Sequence, residues 1–383
     1  MKLLFFSPYF YPYTSGITTY PYVLFQELVK ENLVTVLTFP HKKKLKHYDV
    51  HNSMHIYRMP YLFKVSKGFI SPQSIGYFLR ETRKCDIVIL NIPNFEGLFL
   101  ALLAKLFRKK ILCIFHCQVH MGNTPLEQII SFFLQLSVSI QLHLADRITV
   151  YTKDYAQAVG LWKKYHKKIA TILPPVPLPA VDSKTLEKHM ANKGKDVWIG
   201  FAGRISREKG LENLIKAAAQ LELAGKKKVK LVFAGPYGAD VAGELEYYHK
   251  IKRLLKKYQI PHQFMGNQRG SQLGAFYHAI DLLVLPSVNR TEAFGMVQAE
   301  AMMCGTPVVC SNLPGVRMPI TLTGMGKTVK INNVADLTKA IQEILSRPSR
   351  FTPKTKIQKA QELFALKGVI HAYRDELLYL RNR

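Results

Sequence analysis

Residues 281–300 read DLLVLPSVNRTEAFGMVQAE, and this stretch decides the fold because one polar loop joins a strand pattern to a helix pattern. Residues 281–285 form an almost continuous apolar run, which is typical of a strand covered on both faces in a parallel sheet. A helix is predicted over 298–304. Ligands of such sheets bind outside the carboxyl ends of the strands, so the loop between the two patterns is expected to carry function.

The same alternation of strand and helix patterns continues along the whole chain and predicts a doubly wound α/β fold. The predicted strands cover residues 2–6, 33–39, 55–59, 86–90, 111–115, 147–151, 169–173, 197–202, 230–234, 281–285 and 307–310. Four prolines fall within residues 173–179, where neither a helix nor a central strand can continue. We therefore predict two Rossmann-like domains, residues 1–175 and 176–355, and a C-terminal helix over 356–383 that packs back on the first domain.

The charge of the chain favours an anionic partner. Its 383 residues carry 54 Lys and Arg against 26 Asp and Glu, a formal net charge of +28. Nucleic acid, anionic lipid and phosphate-bearing substrates all fit such a charge. No helix-turn-helix, zinc-finger or RNA-recognition signature accompanies it, so nucleic acid is not the expected partner.

The sequence favours a cytoplasmic protein without a membrane span. The five cysteines are an odd number and suggest no disulfide framework, which fits a reducing compartment. The N-terminal run MKLLFF is interpreted as a first core strand rather than a secretory signal. Residues 126–144 are strongly apolar but include Glu127, Gln128, Gln135 and Gln141, so we predict a buried or surface-lying helix there.

Two glutamates in the deciding stretch are candidate site residues, Glu292 as a catalytic residue and Glu300 as a donor-binding residue. Glu292 and Glu300 lie eight residues apart, which is about 12 Å along a helix and close to the span from a sugar across a diphosphate to a ribose. Glu292 could accept hydrogen bonds from sugar hydroxyls, and Glu300 from ribose hydroxyls. The amides of residues 294–296 (Phe294, Gly295 and Met296) stand at a predicted helix start, which suits a phosphate. Glutamates favoured by the helix dipole are the structural alternative.

The deciding stretch continues as EAMMCGTPVV over 300–309, and FAGRISREKGL stands at 201–211. Together these segments resemble the signature of family 4 retaining glycosyltransferases, which have the GT-B fold. The resemblance implies two Rossmann-like domains facing across a cleft, a UDP-sugar or GDP-sugar donor, and no metal cofactor. It covers the second half of the chain better than the first.

The resemblance assigns Arg204 and Lys209 to the donor diphosphate. Both follow the predicted strand 197–202, where two cations could neutralise a diphosphate and stabilise its charge as the glycosidic bond breaks. A solvated basic turn is the alternative in so basic a chain.

In the first half, the resemblance places Ser15 and Gly16 in the family's glycine-rich donor loop, where Ser15 replaces the usual first glycine. His116 follows the predicted strand 111–115 and matches the family's active-site histidine, with His120 as the competing candidate. A metal site built from the cysteines and histidines of residues 113–120 is not favoured, because the paired spacing of a closed zinc site is missing.

The resulting prediction is a retaining, metal-independent hexosyltransferase that acts on a lipid, lipid-linked or glycan acceptor at the cytoplasmic membrane face. Lys and Arg cluster with aromatic residues before the proline-rich segment, which suits an anionic bilayer surface. A nucleotide-sugar epimerase or phosphorylase on the same fold, and a basic nucleic-acid-binding protein, are the alternatives.

Overall fold

The computed structural model describes residues 1–13, 15–42, 44–65, 68–119, 124–221, 228–241 and 243–383. They form two compact units, one of residues 1–175 with 366–383 and one of residues 176–365. The boundary at Pro175 lies inside the proline-rich segment, which contains neither helix nor strand.

The first unit is built on an eight-stranded sheet of order β10-β9-β8-β7-β1-β2-β4-β3, in which only β3 is antiparallel to its neighbour. Its strands are β1 (Lys2–Phe6), β2 (Leu33–Thr38), β3 (Tyr48–His51), β4 (Met54–Arg58), β7 (Ile87–Ile92), β8 (Lys110–Phe115), β9 (Arg147–Val150) and β10 (Ile169–Thr171), with a separate hairpin of β5 (Phe63–Val65) and β6 (Gly68–Ile70). The central strands β1, β7 and β8 are almost wholly buried. That burial is why they read as continuous apolar runs.

Helices cover both faces of this sheet. They are α1 (Gly16–Leu28), α2 (Ser74–Lys84), α3 (Gly97–Leu106), α4 (Pro125–Leu144), α5 (Lys153–Ala158) and α6 (Leu161–Tyr165). The crossovers from β4 through α2 to β7, β7-α3-β8 and β8-α4-β9 all step in one direction along the sheet, whereas β1-α1-β2 steps in the other. Right-handed crossovers therefore put α2, α3 and α4 on one face and α1 on the opposite face.

The second unit has a six-stranded parallel sheet of order β13-β12-β11-β14-β15-β16. Its strands are β11 (Val197–Ala202), β12 (Val229–Ala234), β13 (His262–Gly266), β14 (Leu282–Leu285), β15 (Val308–Ser311) and β16 (Gly326–Val329). Its helices are α7 (Ser183–Lys193), α8 (Leu211–Ala219), α9 (Leu245–Lys257), α10 (Ser271–Ala279), α11 (Met296–Met303), α12 (Met318–Thr323), α13 (Val334–Ser346), α14 (Pro348–Phe351) and α15 (Lys354–Leu363). The order reverses between β11 and β14, so the loops that follow these two strands flank the switch point of the sheet.

The last helix, α16 (Leu366–Arg381), returns to the first unit. The guanidinium of Arg147 donates to both carboxylate oxygens of Glu376, at 2.5 and 2.7 Å. The hydroxyl of Tyr373 lies 2.5 Å from that of Tyr20 and 3.0 Å from that of Thr149. A bidentate, half-buried ion pair and two buried hydroxyl contacts thus tie α16 to the first unit. Residues 356–383 therefore contain most of α15, in the second unit, and all of α16.

Candidate functional site

The loop after β14 is shaped by a glycine at its far end. Gly295 caps α11 with a φ of +73°, and a Cβ there would lie 2.5 Å from Leu285 Cδ2 and 2.7 Å from Gln298 Nε2. Only glycine fits both the conformation and the space. Phe294 is buried beside it, with its ring edge-on to Phe364. Helix α11 therefore starts immediately after the loop, so its positive N-terminal end lies at the loop.

The neighbouring loop, after β11, is held against the first by another glycine. Gly210 has a φ of +61°, and a Cβ there would lie 2.6 Å from the carbonyl oxygen of Pro286. Two residues before Gly210, the carbonyl of Glu208 accepts a hydrogen bond from the amide of Val288 at 2.9 Å. These two close contacts bring residues 204–210 and 286–292 together at the end of the sheet.

Lys209 and Glu292 meet where these loops touch, as an ion pair between Nζ and Oε2. Their side chains keep only 16% and 15% of their surface exposed. A predicted donor ligand, Lys209, and a predicted catalytic residue, Glu292, are thus in direct contact, in a setting where water screens their charges weakly.

Arg204 extends the positive charge of this site. Its side chain is about half exposed and donates to Glu208 Oε1 at 3.1 Å. Burial would raise the pKa of the Glu208 carboxyl, but hydrogen bonds from Ser206 and from its own backbone amide, with the charges of Arg204 and Lys209, lower it. Glu208 therefore stays ionised and holds the Arg204 guanidinium beside the loop.

Glu300 lies on α11, the helix that Gly295 starts. The hydroxyl of Tyr277, on α10, donates to Glu300 Oε2 at 2.6 Å. Burial raises the pKa of Glu300, and the hydrogen bond from Tyr277 partly offsets the rise. The sequence analysis missed Tyr277, because no local pattern marks a tyrosine whose partner lies on another helix.

A buried hydroxyl without a partner also belongs to the second-unit loop. Ser287 directly follows Pro286 and is fully buried, and its Oγ has no hydrogen-bond partner.

The side chain of Gln298, in the first turn of α11, donates to the carbonyls of Phe294 and Val316 at 2.9 and 3.0 Å. The glutamine side chain thereby fixes the backbone at the start of α11.

His116 follows β8 in the first unit and has both ring nitrogens engaged. Nε2 contacts the side-chain oxygen of Asn91, and Nδ1 contacts the hydroxyl of Tyr151. Asn91 uses its amide nitrogen to donate to Ser7 Oγ and the Ile17 carbonyl, at 2.9 and 3.2 Å. The asparagine oxygen is therefore the acceptor, which places the imidazole proton on Nε2. Burial lowers the pKa of His116 to about 3, so the ring is neutral.

Ser15 and Gly16 form the start of α1, near the same asparagine. The Ser15 amide donates to Thr18 Oγ1 at 2.8 Å, which caps the helix, and Gly16 is exposed. Because Asn91 contacts the Ile17 carbonyl as well as His116, the structure brings these three predicted residues to one end of the first-unit sheet. His120, the competing candidate, lies outside the described residues.

Each unit therefore collects its own group of predicted site residues. The second unit holds Arg204, Lys209, Glu292, Phe294, Gly295, Met296 and Glu300 on adjoining loops and one helix, and the first unit holds Ser15, Gly16 and His116. Across the described ranges, no three or more His, Cys, Asp or Glu side chains are grouped to hold a metal ion.

Comparison with known sequences finds a match to one family model in the second half of the chain. Residues 182–362 match the family model described as glycosyl transferases group 1. The chain is 28% identical over 222 residues to D-inositol 3-phosphate glycosyltransferase 1 of Catenulispora acidiphila, covering 54% of this chain and 51% of that protein. It is 37% identical over 117 residues to the lipopolysaccharide 1,2-N-acetylglucosaminetransferase of Salmonella typhimurium, 30% of each chain. The chain spans about half the length of the first of these curated relatives.

Comparison with solved structures extends over nearly the whole chain. The complex of Anabaena HepE with UDP and glucose aligns with a TM-score of 0.79 at 16% identity, covering 99% of this chain and 100% of that one. Sucrose-phosphate synthase from Thermosynechococcus elongatus aligns with a TM-score of 0.74 at 19% identity, covering 99% and 98%. The GT-B fold predicted from the sequence is confirmed.

The neutral state of His116 gives a prediction about pH. Its folded-state pKa of about 3 lies below the ordinary value near ~6.5. The neutral ring of His116 therefore makes its full contribution to the free energy of unfolding above about pH 6.5, and this contribution is lost as the pH falls through the acidic range. In NMR spectra of histidine-labelled protein, the His116 resonance should stay unshifted between about pH 7.5 and 5. The resonance is assigned by its disappearance in the His116→Gln variant. A titration midpoint above about pH 6 would contradict the claim that burial lowers the pKa of His116.

Proposed function

We propose that this chain, whose residues 182–362 belong to the glycosyl transferases group 1 family, moves a hexose from a UDP-sugar to an acceptor hydroxyl with retention of configuration. The observation that carries the proposal is the largely buried Lys209–Glu292 ion pair. It joins the loop that contains Arg204 to the loop that leads into α11. The UDP and glucose named for the Anabaena HepE structure support UDP as the nucleotide. GDP, which the sequence left open, has no comparable support.

The donor diphosphate is assigned to the positive end of the site. Arg204 and Lys209 supply two cations, and residues 294–296 supply amides at the start of α11. In the free protein, each cation is paired with a carboxylate, Glu208 or Glu292. Phosphate oxygens would replace or share these partners, so the cations are already aligned before the donor arrives.

Glu292 and Glu300 are assigned to the sugar and the ribose. When Lys209 turns to the diphosphate, the Glu292 carboxylate is freed to accept hydrogen bonds from sugar hydroxyls. Glu300 keeps an acceptor oxygen for the ribose while Tyr277 fixes the other. Two carboxylates at opposite ends of the donor would thus accept hydrogen bonds from the hydroxyls of the sugar and of the ribose.

The reaction we propose forms one bond and breaks one bond at the anomeric carbon. The acceptor oxygen bonds to C1 on the face that the diphosphate leaves, and the acceptor proton passes to the departing phosphate oxygen. Arg204, Lys209 and the α11 amides stabilise the charge that develops on UDP, so this assignment needs no metal ion. In the first unit, Ser15 and Gly16 stay proposed donor-binding residues. His116 is proposed to act near the reacting centre as a neutral positioning residue, because both of its ring nitrogens are engaged.

The acceptor is proposed to be a lipid, a lipid-linked molecule or a glycan, reached from a peripheral position on the cytoplasmic membrane face. The net charge of +28 favours an acceptor or surface that carries phosphate. The relatives' names, which include an inositol phosphate and a lipopolysaccharide, support a phosphorylated or envelope-glycan acceptor.

Replacing Lys209 tests the donor site. In Lys209→Ala, the affinity for UDP measured by calorimetry should fall at least about thirtyfold, because a charge-assisted contact to phosphate is lost. Turnover of the UDP-sugar should fall further, since the same cation stabilises the leaving group.

Lys250→Ala is the matched control, because Lys250 pairs with Glu212 at 2.9 Å in the same unit but outside the proposed site. Its UDP affinity should stay within about twofold of the parent protein. A folded Lys209→Ala variant that binds UDP normally would overturn the assignment of the diphosphate site.

Retention is tested by the configuration of the product. With UDP-α-glucose as donor and water as acceptor, the first glucose seen by proton NMR, before mutarotation, should carry the α-anomeric signal. A β-glucose signal appearing first would contradict the same-face mechanism while leaving the donor site untouched.

A further inference from the structure

Helix α4 exposes large apolar side chains, unlike an ordinary surface helix, and buries two polar ones. Ser137 and Gln141 are fully buried against the first unit, whereas Phe132 and Phe133 are 64% and 52% exposed. Ile129 is exposed on the same side, and at 3.6 residues per turn these apolar positions lie on one side of the helix. An apolar stripe of α4 thus faces away from the core.

Hydrogen bonds fix this orientation. Ser137 Oγ donates to the carbonyl of Phe95 at 2.9 Å, and Gln141 Nε2 donates to the carbonyl of Asn94, also at 2.9 Å. Both carbonyls lie in the buried loop that follows β7. Rotating α4 to bury its phenylalanines would leave these groups without partners in a dry interior. The exposed side is therefore a stable property of the fold.

The neighbouring helix presents the same chemistry. Phe99, Leu102 and Leu106 on α3 are exposed at positions i, i+3 and i+7, which form one stripe. Helices α3 and α4 pack side by side on the same face of the sheet. The α3–α4 surface is defined as these three residues with Ile129, Phe132 and Phe133, which form two exposed apolar stripes on neighbouring helices.

Cations collect at the C-terminal ends of the helices on this face. Arg83 at the end of α2 stacks over the ring of Phe107 at 5.2 Å, which joins the ends of α2 and α3. Lys168 donates to the carbonyl of His143 at 2.7 Å, which joins the 163–168 segment to the end of α4. Glu127 is the single acidic residue between positions 97 and 144. The apolar surface is thus bordered by positive charge.

We propose that the α3–α4 surface docks this chain on an anionic lipid bilayer, with the apolar side chains at the acyl boundary and the cations among the headgroups. A second copy of the chain would bring the same positive border against itself, so like charges would oppose that contact. An anionic bilayer satisfies both halves of the surface, the apolar stripe and the basic border. Within the described residues, no helix is long and apolar enough to cross a membrane.

The position of α4 connects this surface with the first-unit residues. Helix α4 crosses back between the parallel strands β8 and β9, so its N-terminal end lies at the edge where β8 ends. His116 and Asn91 stand at the same edge. The cations lie at the other, C-terminal ends of these helices, so docking along the length of α4 would keep both edges of the sheet at the bilayer. This link to an acceptor rests on the proposed function, whereas the docking itself does not.

The proposal is tested with the full chain and two kinds of vesicle, in the absence of any nucleotide. The chain should co-sediment with vesicles of phosphatidylglycerol and phosphatidylcholine at low ionic strength. It should bind pure phosphatidylcholine vesicles at least about tenfold more weakly, because the basic border then lacks its partner. Equal binding to both, or binding to neither, would overturn it.

The variant Phe132→Ser/Phe133→Ser should lower the affinity for the anionic vesicles at least about tenfold, since both rings leave the interface. The matched control is Leu245→Ser/Leu378→Ser, two leucines that are 48% and 47% exposed on α9 and α16, away from the surface. Its vesicle binding should be unchanged. Equal losses in both variants would overturn the assignment to α3–α4.

Separate readouts keep this proposal distinct from the proposed function. UDP binding by Phe132→Ser/Phe133→Ser should equal that of the parent, because these residues lie outside the donor site. Vesicle binding without UDP binding would contradict the transferase proposal and still support the docking surface. A dimer that dissociates in the Phe variant, with no vesicle binding, would show that the surface contacts a second copy and would overturn the bilayer proposal.

Discussion

The contact between Gly210 and the carbonyl of Pro286 is the constraint on which the proposed donor site depends. A Cβ at position 210 would lie 2.6 Å from that oxygen, so only glycine lets the loops after β11 and β14 meet. Their meeting puts Lys209 against Glu292 and leaves Arg204 beside them. Gly295 then starts α11 directly after the second loop. Backbone geometry at two glycines thus brings an ion pair, the start of a helix and a second carboxylate together at one end of the sheet.

The two units use polar groups in different ways. In the second unit, charged side chains pair near the surface, where a ligand can exchange with their partners. In the first unit, Ser7, Asn91, His116 and Tyr151 form a buried network that leaves the histidine neutral and fixed. Such a network suits positioning, because every member is already committed to a neighbour. We therefore expect the second unit to stabilise charge in the reaction and the first unit to position the reacting groups.

Much of the second unit could be predicted from the sequence, because buried parallel strands and the loops that follow them carry strong local patterns. The same patterns missed β3, β5, β6, β13 and β16. All five lie at a sheet edge or in the separate hairpin and lack a continuous apolar run. Tyr277 and Asn91 act through partners distant in sequence, so no spacing marks them. Likewise, residues 126–144 indicated a surface or buried helix, but only the contacts of Ser137 and Gln141 decide which side faces outward.

The central claim is that residues 204–210 and 292–300 bind a nucleoside diphosphate together. Hydrogen–deuterium exchange with and without UDP measures this most directly, because it reports on backbone amides along the whole chain. The account predicts slower exchange in both segments when UDP is present, with α4, residues 125–144, unchanged. Saturating UDP that leaves both segments unaffected, or that protects only residues outside them, would contradict the account.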